Sequence, residues 1–234
     1  MVNLTKIYTR TGDQGSTALG DFSRVSKTDP RLAAYSDANE ANAAIGVALA
    51  AGDLAEDIRA VLTRVQNDLF DVGADLSQPL HDDYAYEPLR VKQEWIEELE
   101  RDCDTFLERL EPLRSFILPG GTPGAAYLHL ALTVVRRAER SAWAAAEAHG
   151  TEPGTTKGEG GINILAATYL NRLSDLLFIL ARVANIGRLG EVGSGDVLWK
   201  PGGGREAAPE KRTRASRSGS AAGAEPADGS DSES

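Results

Sequence analysis

Thr9-Arg10-Thr11-Gly12-Asp13-Gln14-Gly15-Ser16-Thr17, followed by Ala18, concentrates five hydroxyl or carboxylate side chains and two glycines within nine residues. Glycine lets backbone N–H groups turn inward and approach an anion closely. The Thr and Ser hydroxyls add donors, Arg10 adds charge, and the Asp13 carboxylate suits a Mg²⁺ ion among phosphates. The stretch reads as a polyphosphate cradle, but not the common one: no G-x-x-x-x-G-K-[ST] occurs anywhere in the chain. An ordinary Gly-rich surface loop has the same composition.

Two further polar clusters fall inside helical patterns. Arg136-Arg137-Ala138-Glu139-Arg140 interrupts an Ala/Val-rich run. Arg136 and Arg140 are i,i+4 and share a face, with Arg137 about 100° round. Guanidinium forks match phosphate oxygens, and Glu139 is spaced to orient one of them. A solvated face with ordinary i,i+3 and i,i+4 pairs explains the same residues. Asn171-Arg172-Leu173-Ser174-Asp175 sets an amide, a guanidinium and a carboxylate close together. An intrahelical Arg172–Asp175 pair is the plainer reading. Asn171, Asp175, Phe178 and Arg182 form one stripe at steps of four, three and four, away from the apolar seam. Phe178 is out of place on a solvent face and points to a surface shared with a ligand or another subunit. Ser115-Phe116-Ile117-Leu118-Pro119-Gly120-Gly121 reads as a buried loop with tight turns.

The elements that must position these residues are helices. Between Asp29 and Asn185 the pattern gives five helical segments and no convincing strand. The first has Asp29 as N-cap and Pro30 at its first position, and stops at Gly52. The second runs from about Asp53 to Ser77, with Leu54, Ile58, Val61, Val65, Leu69, Val72 and Leu76 at steps of three and four. The third starts near Pro88 and ends before Pro112. The fourth runs from Thr122-Pro123 to Gly150, and the fifth from about Ile162 to Asn185, with Gly187 just beyond. In the fifth, Ala166, Tyr169, Leu173, Leu176, Leu180 and Val183 form the seam of near-parallel packing. The expectation is an all-α fold, a five-helix up-and-down bundle of the ferritin-like kind. The Gly-rich stretch 150–161 is expected to be flexible.

Composition excludes several functions. A di-iron bundle needs Glu-x-x-His motifs, but Gln78, Ala126 and Ala146 stand three before His81, His129 and His149. Three scattered histidines and one cysteine, Cys103, also argue against a zinc site and an internal disulfide. The formal charge of −10 argues against a nucleic-acid-binding body. No signal-peptide pattern and no uninterrupted apolar run of about 18 residues occurs, so no membrane span is expected and a cytoplasmic location is. From Pro201 onward the chain is Gly, Ser, Ala, Pro and charge, with 5 basic and 6 acidic residues. It is expected to be disordered. Lys211-Arg212-Thr213-Arg214 there offers a weak partner contact, although a solvated tail is the simpler account.

In order along the chain, Thr9-Arg10-Thr11-Gly12-Asp13-x-Gly15, Phe116-Ile117-Leu118-Pro119-Gly120-Gly121, Arg136-Arg137-Ala138-Glu139-Arg140 and Asn171-Arg172-Leu173-Ser174-Asp175 together resemble the PduO-type ATP:cob(I)alamin adenosyltransferases. The likeness covers about residues 4–200. It implies a homotrimer with active sites between subunits, and transfer of the 5′-deoxyadenosyl group of ATP to cob(I)alamin with release of triphosphate. By this resemblance, residues 1–28 are an ATP-binding loop segment, 29–200 the helical adenosyltransferase domain and 201–234 a tail. It assigns Thr9, Arg10, Thr11, Gly12, Asp13, Gln14, Gly15, Ser16, Thr17, Ala18 and Lys27 to ATP. Arg136, Arg137, Glu139 and Arg140 go to the triphosphate and Asn171 to the nucleotide, with Arg137, Arg140 and Asn171 catalytic. Phe116, Phe178 and Asp175 go to cobalamin. Mg²⁺ is expected on the ATP phosphates, and a cobalamin reductase and a B12-dependent mutase are the implied partners. Many family members carry Asp where Asn39 stands and Arg where Leu132 stands, pairing across the subunit interface. With both replaced, Asp37 is the candidate partner for Arg136 or another base. A non-catalytic escort that holds ATP or adenosylcobalamin for a mutase fits the same residues.

Overall fold

A computed structural model describes residues 8–84, 87–186 and 195–203. Residues 1–199 form one unit. Of a second, 200–234, only the turn at 200–203 is described, closed by Gly203 N–H donating to the Lys200 carbonyl at 2.9 Å. The reading of Gly187 and of the tail beyond residue 203 falls outside the described residues.

A short hairpin precedes the helices: β1 (Ser16–Ala18) and β2 (Arg24–Ser26) pair antiparallel, with Ser16 opposite Ser26, Thr17 opposite Val25 and Ala18 opposite Arg24. Gly20 N–H then donates to the Ser77 carbonyl at 3.0 Å and docks the hairpin turn on the second helix. The helices are α1 (Pro30–Ala51), α2 (Glu56–Ser77), α3 (Gln93–Leu107), α4 (Pro123–His149) and α5 (Ile164–Ala184). The fold is the expected helical bundle with this small sheet added.

Local chemistry sets most of the helix ends. Asp29 accepts from Arg31 N–H at 2.8 Å and Thr122 from Ala125 N–H at 3.2 Å, each followed by proline at the first helical position. α2 begins at Glu56 rather than Asp53 because Asp53 takes φ 46, outside the helical region. α5 begins two residues after the expected point because Asn163 serves as its cap, accepting from Leu165 N–H at 3.2 Å.

α1 and α4 run antiparallel in close contact. Asp29 meets His149 at 2.9 Å, Asp37 meets Ser141 at 2.5 Å, and a Cβ placed on Gly52 would lie 3.0 Å from Gly124 Cα. Fully buried Ala34, Ala38, Ala41 and Ala48 on α1 face buried Ala131, Ala138, Ala142 and Ala145 on α4. Small side chains bring the two backbones together, and any larger residue there would overpack. α5 packs on α4 and α3, and α2 closes on α1. α5 has the length and apolarity of a membrane span, but 61% of that window is buried within the bundle, as in the core helix of a globular domain.

A buried polar hub sits where three elements meet. The Asp75 side chain is 0% exposed near the end of α2. One carboxylate oxygen pairs with Arg90 at 2.5 Å; the other accepts from Val91 N–H at 2.8 Å and from Asn163 Nδ2 at 2.6 Å. Arg90 also donates to the Gln78 and Pro79 carbonyls and to the Tyr84 hydroxyl. Held this way, residues 88–92 lie outside any helix, with Lys92 extended at φ -115 and ψ 159, which is why α3 starts at Gln93 and not near Pro88. Beside the hub, buried Arg31 donates to the Leu76 carbonyl at the end of α2 and to the Gly160 and Gly161 carbonyls. Burial pushes its pKa down, and Asp29 partly offsets that.

These contacts correct the expectation of flexibility for 150–161. Its backbone is pinned further by Gly154 N–H donating to Leu80 O at 2.9 Å and Gly158 N–H to Asp21 Oδ2 at 2.8 Å. Gly160 has φ 129, and a Cβ there would overlap the Leu80 carbonyl oxygen, so glycine is required for this docking.

Asp75→Ala removes the countercharge of a largely buried arginine and strands the Val91 and Asn163 donors. It is expected to lower the unfolding free energy by about 3 kcal/mol in urea titrations, and Asp75→Asn to lower it by less. Cys103 is buried on α3, and burial pushes its thiol up to about 12, with Asp175 adding to the effect. At pH 8 an aromatic disulfide reagent is therefore expected to modify the native thiol at least ~100-fold more slowly than the urea-unfolded one.

Candidate functional site

The loop before β1 is shaped by two left-handed residues, Arg10 at φ 62 and Gly15 at φ 77. The Thr9 and Thr11 hydroxyls bond at 2.9 Å, and the Arg10 guanidinium lies 5.8 Å from the centre of the Tyr8 ring. Lys27 belongs to this loop in space as well as in sequence. Its N–H donates to the Gly15 carbonyl at 2.8 Å, and a Cβ on Gly12 would lie 3.0 Å from Lys27 Nζ. The ammonium therefore sits against the glycine turn, ready for an anion that approaches the backbone N–H groups. Thr17 and Lys27 also line a cleft of about 400 Å³ with Leu32, Ala33, Tyr35 and Ser36. Thr9, Arg10, Thr11, Asp13, Gln14, Gly15 and Ala18 are exposed.

Sequence reasoning missed the brace of this loop. Arg24 Nη2 donates to Thr11 O at 2.8 Å, to Ser16 Oγ at 2.6 Å and to Ser16 O at 3.3 Å. The signal was a basic residue one hairpin turn after the loop, legible only once β1 and β2 are paired.

The arginine cluster lies on α4. Arg136 and Arg140 are exposed, and Arg140 Nη1 donates to the Arg136 carbonyl at 3.5 Å. Arg137 reaches α1, where its Nε stands 3.7 Å from Asp37 and its Nη2 contacts Glu40. Asp37 thus meets Arg137 and not Arg136. Arg137 donates to the Glu40 carboxylate, and this contact holds the guanidinium's pKa above its ordinary value. Glu139 does not orient a guanidinium: it accepts from Asn171 Nδ2 at 3.0 Å and ties α4 to α5. Among the described residues, no hydrogen bond or ion pair joins loop 9–18 to the arginines of α4 within one chain. Asn39 is exposed on α1 and Leu132 is buried on α4.

An apolar cleft of about 600 Å³ gathers the aromatic residues: Leu113, Arg114, Ser115, Phe116, Ile117, Phe178 and Trp199 line it. Phe116 and Phe178 line this one cleft, but the linker is not a buried loop, since Phe116 is 78% exposed. Its backbone instead pairs with the segment after α5: Leu118 N–H donates to Val197 O at 2.7 Å and Trp199 N–H to Phe116 O at 2.8 Å. That pairing holds the Phe116 side chain out of the core. Trp199 stacks edge-on against Phe116 with centroids 5.9 Å apart and is the third aromatic, which sequence reasoning missed. Val197-Leu198-Trp199 was its only signal, an apolar trio just before the polar tail.

Phe178 packs edge-on against His129 at 6.1 Å, where burial lowers the histidine's pKa and favours a neutral ring. The stripe on α5 is only partly open. Arg182 is buried, paired with Asp196 at 2.9 Å and donating to Glu111 O at 2.8 Å, and so anchors the Trp199 segment. Asp175 pairs with Arg172 at 2.7 Å, and Arg172 also holds Glu100 at 3.0 Å. The plainer intrahelical pair is thus the observed one, extended to α3. Among the described residues, no group of three or more His, Cys, Asp or Glu side chains gathers as a metal cage.

This arrangement separates an apolar, aromatic cleft from a basic Gly/Thr loop. It offers no paired nucleophile and base among the residues that line either. The cobalamin adenosyltransferase family model matches residues 7–184. A corrinoid adenosyltransferase of Mycobacterium tuberculosis is 57% identical over 206 residues, covering 88% of this chain and 98% of the relative. A cobalamin adenosyltransferase of Cupriavidus metallidurans is 45% identical over 197 residues, covering 84% and 95%. Among solved structures, a Phe-to-Ala variant of a PduO-type ATP:corrinoid adenosyltransferase from Lactobacillus reuteri, complexed with cobalamin and ATP, superposes with a TM-score of 0.72. It is 33% identical, covering 83% of this chain and 99% of that one. With the family model spanning most of its length and such relatives matched nearly end to end, this chain belongs to the cobalamin adenosyltransferase family.

Proposed function

We propose that this chain transfers the 5′-deoxyadenosyl group of ATP to cob(I)alamin, forming adenosylcobalamin and releasing triphosphate. The observation that carries the reading is the convergence of Lys27 on the Gly12 turn of a Thr/Ser-rich loop, in a family member that also presents an aromatic cleft. The reduced cobalt supplies the electron pair. A Co–C bond forms at the ribose C5′ as the C5′–O bond to the triphosphate breaks. The protein need not supply a nucleophile, which fits the residues present. Its tasks are to align C5′ with the metal and to stabilise charge on the departing triphosphate.

Residues 9–18 and Lys27 would hold the nucleotide's phosphates. Arg136, Arg137 and Arg140 would take the charge that develops on the leaving group, and Asn171, fixed by Glu139, would contact the nucleotide. The carboxylate of Asp13 and the hydroxyls of Thr9, Thr11, Ser16 and Thr17 are hard oxygen donors suited to Mg²⁺ carried on the phosphates. Phe116, Phe178 and Trp199 would face the corrin, keep out water and exclude an axial base. Asp175, held by Arg172 beside Phe178, would support that side.

A homotrimer completes the site in this reading. The loop of one protomer meets the α4 arginines of the next, consistent with the lack of contact between them in one chain and with the exposure of Arg136 and Arg140. The setting is cytoplasmic, with a reductase supplying cob(I)alamin and a B12-dependent mutase receiving the product.

Purified protein with ATP, Mg²⁺ and chemically reduced cob(I)alamin is expected to give the visible spectrum of adenosylcobalamin. Binding without conversion would support an escort and overturn the enzyme. Arg137→Ala is expected to lower kcat/KM about 100-fold while helix content by circular dichroism stays unchanged; full activity in that variant would remove the main triphosphate ligand. Phe116→Ala, at an exposed position, is expected to slow turnover more when the assay starts from cob(II)alamin and a reductant than from pre-reduced cob(I)alamin. Equal losses in the two assays would count against the cleft as the corrin site.

A further inference from the structure

We infer that Asp37 and Ser141 are positioning residues that hold the Arg137 guanidinium in its triphosphate-binding orientation. The inference rests on the proposed role of Arg137. The geometry spans two helices. Ser141 lies one turn beyond Arg137 on α4, so both side chains face α1. Ser141 Oγ donates to Asp37 Oδ2 at 2.5 Å, leaving Oδ1 toward Arg137 Nε at 3.7 Å. Glu40, three residues along α1 from Asp37, meets Nη2 of the same guanidinium. The carboxylates therefore face the Nε–Nη2 edge of the fork, and among the described residues no ion pair or hydrogen bond engages Nη1, the end left for an anion.

Two opposing effects must be weighed. A carboxylate beside an arginine competes with phosphate for its charge. It also removes rotamer freedom from a long side chain, here 41% exposed, before the ligand arrives. The competition is weak: Asp37 stands beyond hydrogen-bond distance of Nε, its other oxygen is engaged by Ser141, and a polyphosphate carries several charges against one. The ordering is the larger effect. Glu40, more exposed and at the outer end, can swing away when the anion binds, whereas Asp37 is fixed by the serine. The close α1–α4 packing through Ala34, Ala38, Ala138 and Ala142 makes this fixing rigid.

The test uses Ser141→Ala and Ser141→Thr in the full chain, with steady-state kinetics and competitive inhibition by inorganic tripolyphosphate. Alanine is a better helix former than serine and fits the surrounding alanines, so folding should be retained; thermal melts verify it. Ser141→Ala is expected to raise the KM for ATP and the inhibition constant of tripolyphosphate together, about fivefold. The KM for cob(I)alamin should stay constant, and Ser141→Thr, which keeps the hydroxyl, should restore tripolyphosphate affinity. An unchanged ATP KM and tripolyphosphate constant would overturn the inference. So would a loss confined to kcat, which is what general loosening of the bundle would give. If the wild-type chain binds tripolyphosphate but forms no adenosylcobalamin, the proposed function fails. The inference is then judged by tripolyphosphate affinity alone, standing if Ser141→Ala weakens it about fivefold and falling if it does not.

Discussion

The buried carboxylate of Asp75 sets the geometry of everything near the start of α5. A fully desolvated charge is tolerated only when it is paired and its remaining lone pairs are satisfied. Asp75 meets that demand by drawing in three groups from distant parts of the chain: Arg90, the Val91 backbone and the α5 cap Asn163. Each recruited group fixes an element. Arg90 and Val91 hold the non-helical approach to α3, and Asn163 starts α5, the helix that carries Asn171 and Phe178. Arg31, adjacent on α1, does the same for the 150–161 segment by offering its donors to backbone carbonyls. It also places a cation at the end of α2, where the last-turn carbonyls, lacking partners within the helix, favour one.

From this anchored end the bundle serves two chemically opposite surfaces. The Gly/Thr loop and the α4 arginines concentrate positive charge on a protein whose formal charge is −10. In the proposed reading they would supply local attraction for polyphosphate without making the whole surface basic. The aromatic cleft is the reverse, apolar and open, with Phe116 held outward by backbone pairing to residues 197–199. A reaction whose electrons come from a bound metal complex and whose leaving group is a polyanion needs both kinds of surface and no protein nucleophile. The proposed transfer matches that division of labour.

Several corrections share one physical cause. Residues 150–161 look flexible by composition, yet glycines were needed there because the Leu80 carbonyl meets Gly160 and the Gly150 backbone meets Gly161 directly. Glu139 and Arg172 have helical spacing that suggests local pairs. Arg172 makes one, but Glu139 finds its partner on a neighbouring helix at Asn171. Arg182 belonged by period to an open stripe, yet Asp196 returns from beyond α5 to bury it. Period and composition describe a residue's own element, whereas these outcomes depend on what another element brings alongside.

The sequence by itself determined the five helices, the cap at Asp29, the start of α4 at Thr122-Pro123, the apolar seam of α5 and the residue types able to hold phosphate. These depend on interactions within a few residues, which spacing encodes directly. Only the tertiary structure decided that Arg24 braces the loop and that Trp199 joins Phe116 and Phe178. It alone also decided that Asp37 and Ser141 reach Arg137. Such contacts join positions far apart in the chain, and their geometry follows from how the helices pack, which no local pattern specifies.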